Sequence, residues 1–97
     1  MSTYPVDIKI KRITSTVANQ TIFAGPARIL GFSANCTAGA GTIDIEDGGT
    51  SLGIFGTPNG ASAPFVYSVM FPGTGLLCKS SATCSLGTIA DVTFFYG

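Results

Sequence analysis

Histidine and tryptophan are missing from this chain, and charged side chains are scarce: five Lys or Arg and five Asp or Glu stand among 97 residues that are 45% hydrophobic. An average soluble domain is about one-quarter charged, so a free monomer of this composition exposes a poorly solvated surface that a crowded protein assembly would cover. Without His the chain lacks the usual general base at neutral pH and the commonest metal ligand, which excludes Ser-His-Asp, Cys-His and His-metal sites. A formal net charge of zero offers no clustered positive surface to phosphate backbones or anionic lipid, so nucleic acid is not an expected partner. Long apolar runs are lacking too. A membrane span needs about 18 or more consecutive apolar residues, and Gly, Pro, Ser, Thr or a charge interrupts every run here, so no membrane partner is expected.

Cysteine is limited to Cys36, Cys78 and Cys84. An odd count leaves one thiol unpaired, and no basic segment followed by an apolar stretch and a cleavage site opens the sequence; both point to a reducing cytosol. Cys78 and Cys84 could oppose each other across a hairpin with a loop from Lys79 to Thr83. Three small buried thiols is the preferred reading, and the spacing does not favour a zinc site.

What is present reads as an all-β chain of one domain. Gly, Thr, Ser, Ile, Val and Phe are abundant, and no stretch carries the i, i+3, i+4, i+7 pattern of an amphipathic helix. Val6-Asp7-Ile8-Lys9-Ile10-Lys11 alternates without error, predicting a half-buried strand with its apolar side chains inward and its charges outward. Three of the five basic residues, Lys9, Lys11 and Arg12, lie in or beside it. Further strands are predicted over 17–23, 28–35, 42–46, 52–55, 65–71, 76–80 and 89–96, separated by turn-forming runs such as Asp47-Gly48-Gly49 and Pro72-Gly73-Thr74-Gly75. About eight short strands at this spacing predict a compact antiparallel β-sandwich, jelly-roll-like in arrangement. The last strand carries Ile89, Val92, Phe94, Phe95 and Tyr96 with Asp91 as its one charge, so it is expected inside a sheet or covered by a neighbour rather than at an exposed edge.

Candidate chemistry is thin. Asp44 and Glu46 share one face of a strand, about 7 Å apart at a rise of about 3.4 Å per residue, which suits Ca²⁺ binding or an acid and base pair. The stronger reading makes them solvent-facing positions before an Asp-Gly turn in which Asp47 bonds its own backbone. A calcium-loop ligand series is absent. Gly39-Ala40-Gly41-Thr42-Ile43-Asp44 matches only the first two glycines of a dinucleotide fingerprint and leads into a strand, so it is a loop without a phosphate. Lys9, Lys11 and Arg12 have no interleaved aromatics to make a nucleic-acid stripe. No catalytic, cofactor-binding or metal-binding residue is assigned, and the chain is not expected to be an enzyme.

Four segments, taken in order, carry a resemblance. Ala24-Gly25-Pro26-Ala27-Arg28-Ile29-Leu30-Gly31 enters a core strand, Gly41-Thr42-Ile43-Asp44-Ile45-Glu46-Asp47-Gly48 forms a strand ending in Asp-Gly, Phe71-Pro72-Gly73-Thr74-Gly75-Leu76 forms a turn into a late strand, and Val92-Thr93-Phe94-Phe95-Tyr96-Gly97 closes the chain. Together they resemble small β-rich virion proteins of tailed bacteriophages. The resemblance implies a capsid-decorating or otherwise head- or tail-associated structural protein; together with the low charge, it makes a non-enzymatic capsid decoration (cement) protein, made in the host bacterial cytoplasm, the leading expectation. It would bind the outer surface of the head, bridge major capsid protein subunits and form a symmetric homo-oligomer such as a trimer. The alternative is a tail- or fibre-associated module for attachment or for recognising a host-surface glycan, with Tyr4, Tyr67 and Tyr96 as the tyrosines available for an aromatic platform.

Overall fold

The computed structural model describes residues 8–16, 18–37, 39–89 and 91–97. Its described residues form nine strands and no helix: β1 (Lys9–Ile13), β2 (Gln20–Phe23), β3 (Ala27–Cys36), β4 (Gly41–Asp47), β5 (Thr50–Thr57), β6 (Phe65–Met70), β7 (Leu76–Cys78), β8 (Ala82–Gly87) and β9 (Val92–Tyr96). Two antiparallel sheets result. The first has the order β1-β9-β3-β6 with β7 also paired to β3; the second has the order β2-β8-β4-β5. β6 takes the Gly31–Cys36 half of β3 and β7 the Ala27–Ile29 half, while β9 holds the other side of β3. β6 and β7 are therefore one strand interrupted by the excursion from Phe71 to Gly75, tied down by the Phe71 N–H donating to the Leu30 carbonyl at 2.9 Å. Counted so, eight strands divide into two four-stranded sheets, with β4 and β5 the one consecutive pair that stays in the same sheet, which is the jelly-roll form of the β-sandwich.

Alternation builds the core. Along β3, Ile29, Phe32, Ala34 and Cys36 turn inward, with a bulge between Ile29 and Gly31 where β9 pairs. Ile43 and Ile45 of β4, Cys84 and Leu86 of β8, and Val92 and Phe94 of β9 complete one buried cluster shared by both sheets. The second sheet's hairpin follows from Asp47-Gly48-Gly49-Thr50: both glycines have positive φ, 58° and 96°, as a two-residue turn matched to strand twist requires. β9 is interior, between β1 and β3, as its apolar sequence predicts.

Two expectations are corrected. First, a ninth strand exists: β8, central in the second sheet, begins at Ala82 inside the expected 79–83 loop and runs to Gly87, where no strand was predicted. Cys78 and Cys84 consequently sit in opposite sheets rather than across a hairpin, and both thiols are free and buried. Second, the apolar side of the first strand faces outward. The register pairs Ile10 with Phe95, Lys11 with Phe94 and Ile13 with Val92, so Ile13 shares the inner face of Val92 and is buried, whereas Ile8 and Ile10 are each 64% exposed. Arg12 explains the choice. Its guanidinium donates to both carboxylate oxygens of Asp91, at 2.9 and 2.8 Å, and Asn35 Nδ2 adds a third bond at 2.8 Å. That fork lies on the outer face and carries the parity of Ile10 with it. Val6 and Asp7 lie outside the described residues.

The bonds from Arg12 and Asn35 hold the Asp91 carboxyl at about 2, below the usual value of about 3.9. Because the folded value is depressed, the stabilisation is complete above the unfolded value and is lost as pH falls through the folded one. The Tm advantage of the native chain over Asp91→Asn is expected to stay constant above about pH 5 and to shrink between about pH 4 and pH 2. Thermal melts of both proteins across that window check this, and an unchanged gap at pH 2 would show that the carboxylate does not anchor β1.

Candidate interaction surfaces

The outer face of the first sheet is apolar along one row. Ile10 opposes Phe95, Phe95 opposes Gly31, and Gly31 opposes Met70, a line running across four strands. Gly31 is needed there because a Cβ would collide with the Val69 carbonyl and sit 2.6 Å from the Met70 sulfur. Met70 is 64% and Val66 59% exposed, and Phe95 is half-buried. Beside this row lies a polar one, in which Arg12 opposes Thr93, Thr93 opposes Ser33 and Ser33 opposes Ser68, with Ser68 Oγ donating to Ser33 Oγ at 3.1 Å. Arg28, at the margin, donates to Thr74 Oγ1 at 3.1 Å. Lys9 and Lys11 have the opposite parity, on the inner side of an edge strand, yet stay exposed. Inward-pointing charges of this kind discourage edge-to-edge pairing.

The acidic residues of the second sheet are brought together, but as structural acceptors. Glu46 is not solvent-facing as expected: it is buried at 4% exposure, and its two oxygens accept from Thr83 Oγ1 at 3.2 Å and Ser85 Oγ at 2.8 Å. The same two hydroxyl oxygens accept from the Gly49 and Asn19 backbone N–H groups, so the carboxylate ties β8 to both neighbouring turns. Asp44 accepts from Ser51 Oγ at 2.6 Å. Asp47 does not bond its own turn. It accepts from the N–H groups of Lys79, Ser80 and Ser81, which pins the corner where the chain passes between the sheets, and the Ser80 and Lys79 bonds lower its pKa. Among the described residues no group of three or more His, Cys, Asp or Glu side chains is placed to hold a metal ion.

An open groove of about 490 Å³ runs over this sheet, lined by Thr16, Ala18, Thr42, Asp44, Ile54 and Ser85 among others. Next to the groove residue Gly87, Thr88 sits in a strained three-residue turn, φ 70°, with the Ile89 N–H donating to the Gly87 carbonyl at 2.8 Å. A β-branched residue at positive φ is costly, and burial of Ile89, 1% exposed, opposes that cost. Among the described residues no aromatic ring lines the groove. Of the tyrosines considered for a glycan platform, Tyr67 packs 6.1 Å from Phe32 and Tyr96 5.5 Å from Phe23, both half-buried against the core; Tyr4 lies outside the described residues. Burial raises the pKa of all three cysteines, Cys84 to about 12, with Glu46 and Asp44 adding to the effect there. A buried, protonated thiol is a poor nucleophile.

The exposed apolar row has a signal in the sequence that the strand-by-strand reading passed over. Phe65-Val66-Tyr67-Ser68-Val69-Met70 is apolar on both parities, which in an edge strand leaves one apolar side uncovered.

Two expectations are measurable. Replacing Glu46 with Ala strands the Thr83 and Ser85 hydroxyls and should destabilise the fold by about 1–3 kcal/mol in denaturant melts, the usual cost of an orphaned buried donor; a neutral result would mean the carboxylate is dispensable. All three thiols should resist a thiol reagent in the native state and react together on unfolding, and a single fast-reacting cysteine would contradict their burial.

Compared with known proteins, the chain matches no family model, no curated protein and no solved structure.

Proposed function

We propose that this chain is a non-enzymatic virion structural protein of a tailed bacteriophage, a cement protein that binds the outside of the head and stabilises contacts between major capsid subunits. The observation that carries this reading is the outer face of the first sheet, where Ile10, Phe95 and Met70 form an exposed apolar row. The jelly-roll form serves capsid, lectin and cupin domains alike, so the face rather than the fold selects among them. The charges of Arg12 and Asp91 on this face neutralise each other at 2.8 Å. The face thus meets an apolar joint between subunits without stranding a free charge, and Arg28 at its margin offers a cation to an acidic group on the shell.

The mechanism is linkage. A protein that binds the assembled lattice but not its dissociated subunits stabilises the shell by RT ln(1 + [L]/Kd), about 2.7 kcal/mol per site at a hundredfold excess over Kd. Many sites on one shell add up.

The test mixes the purified protein with phage heads that lack it, then follows co-sedimentation and the temperature of DNA release. Saturable binding at a fixed ratio to the capsid subunit, with release at higher temperature, is expected. The double variant Ile10→Lys, Met70→Lys should bind at least about tenfold more weakly, since each charge must be desolvated in the joint. Absence of binding to heads, or equal binding by the double variant, would overturn the proposal.

A further inference from the structure

The four sheet edges differ in a way the fold alone does not require. β1 presents Lys9, Lys11 and Arg12. β2 is four residues long with a register shift between Thr21 and Phe23. The β6–β7 edge is broken between Phe71 and Gly75. Charge, shortness and interruption are each devices that stop a sheet edge from recruiting another strand. β5 has little of this protection. It is eight residues long, Thr50-Ser51-Leu52-Gly53-Ile54-Phe55-Gly56-Thr57, with neither charge nor proline. Its one irregularity, at Leu52, leaves Gly53 to Thr57 in regular register with Gly41 to Ile45.

Two glycines interrupt that regular run. Elsewhere the fold demands glycine by contact: a Cβ at Gly31, Gly41 or Gly60 would collide with the backbone carbonyl of Val69, Gly87 or Cys36. A Cβ at Gly56 would meet nothing within 4 Å, and one at Gly53 would make only ordinary contact with the Phe55 ring at 3.8 Å. Neither has positive φ. Glycine inside a strand weakens it by roughly 0.5–1 kcal/mol relative to Ala, and such a residue often marks a place where another backbone approaches closely. Among the described residues no group makes that approach at Gly56.

We propose that β5 pairs with the β5 of a second copy of this chain, antiparallel across a two-fold axis at Phe55. Opposing residues in that register are Ile54 with the partner's Gly56, Gly53 with the partner's Thr57, and Phe55 with the partner's Phe55. Every large side chain off the axis meets a glycine, so the run is its own complement, as a two-fold interface requires. It carries no charge, so two copies meet without like-charge repulsion, whereas β1 pairing with itself would juxtapose lysines. Phe55 is half-buried on each copy, and pairing brings the two rings side by side across the axis, while Gly56 leaves room for the partner's Ile54. The product is a continuous sheet in which β2-β8-β4-β5 runs on into the second copy's four strands in reverse order. A single paired run only about 17 Å long, at about 3.4 Å per residue, buries far less than the roughly 800 Å² per partner of a standard stable interface, so the dimer is weak and concentration-dependent. This inference stands apart from the virion reading, and its test uses the isolated protein.

Sedimentation equilibrium from about 1 μM to about 1 mM, the range in which weak dimers dissociate, should show a monomer giving way to a dimer. Gly56→Lys places an edge lysine in space the monomer leaves open. It should weaken dimerisation at least tenfold without lowering the dilute thermal midpoint, since losing a strand glycine does not destabilise the monomer. Register is tested separately by mixing Ile54→Cys protein with Gly56→Cys protein under oxidising conditions: opposed positions lie close enough for a disulfide, so the mixed cross-linked dimer should exceed either homodimer. A wild-type chain that stays monomeric throughout, a Gly56→Lys variant that dimerises as the wild type does, or no excess of the mixed cross-link would each overturn the proposal, the first leaving β5 to a strand from a different protein.

Discussion

Phe32 couples the two sheets. It is fully buried and meets the ring of Phe55 from the second sheet at 5.5 Å, with Tyr67, Phe71 and Phe94 around it at 6.1, 6.3 and 6.2 Å. Aromatic pairs at such separations add about 0.5–1.5 kcal/mol each beyond the area they bury. Among the described residues the cysteines are free and Arg12–Asp91 is the one salt bridge, so apolar packing is what holds one sheet to the other. A buried Phe cut back to Ala typically costs about 3–5 kcal/mol, a large share of the roughly 5–15 kcal/mol by which a domain is stable. Phe32 therefore sets the parity of β3. Ala34 and Cys36 follow it inward, Ser33 and Asn35 turn outward, and the bulge after Ile29 restores the inward phase for the first half of the strand.

The few carboxylates are spent on architecture. Asp47 gathers three N–H groups at the corner between the sheets, Glu46 ties β8 to its neighbouring turns, Asp44 holds Ser51, and Asp91 clasps β1. These four are committed to internal bonds, leaving little negative charge to solvate the surface. The outer faces are correspondingly bare, apolar on the first sheet and hydroxyl-rich on the second.

Strand content, the interior place of β9 and the Asp-Gly-Gly hairpin were legible because large β-branched and aromatic residues mark buried strands and positive φ selects glycine. β8 escaped notice because Ala82-Thr83-Cys84-Ser85-Leu86-Gly87 has few bulky residues. Its period-2 order is nonetheless strict once Ala and Cys count as apolar, and smallness is what a central strand under Phe-rich neighbours needs. Glu46 was read as exposed because a carboxylate beside an Asp-Gly turn normally is. Its burial depends on two hydroxyls thirty-seven and thirty-nine residues away, and local pattern carries no information at that distance. The bonds of Asp47 to the 79–81 corner failed the same way.

The reversed face of β1 shows how a local pattern loses to tertiary energetics. In either register the Lys9 to Lys11 stretch gains little cover, since inner-parity Lys9 and Lys11 are themselves exposed; turning Ile8 and Ile10 inward would bury little. At the far end of the strand the registers differ. The observed one buries Ile13, worth about 1.5–3 kcal/mol for a side chain of that size, and forks Arg12 onto Asp91. A one-residue slip exchanges every side chain between faces, and would expose Ile13 and point Arg12 into the sandwich with its charge unpaired. The last two residues of β1 thus decide where the first two point. Ile10 is left beside Phe95 on an apolar row that none of the described residues covers, its burial given up for that of Ile13 and for the fork of Arg12.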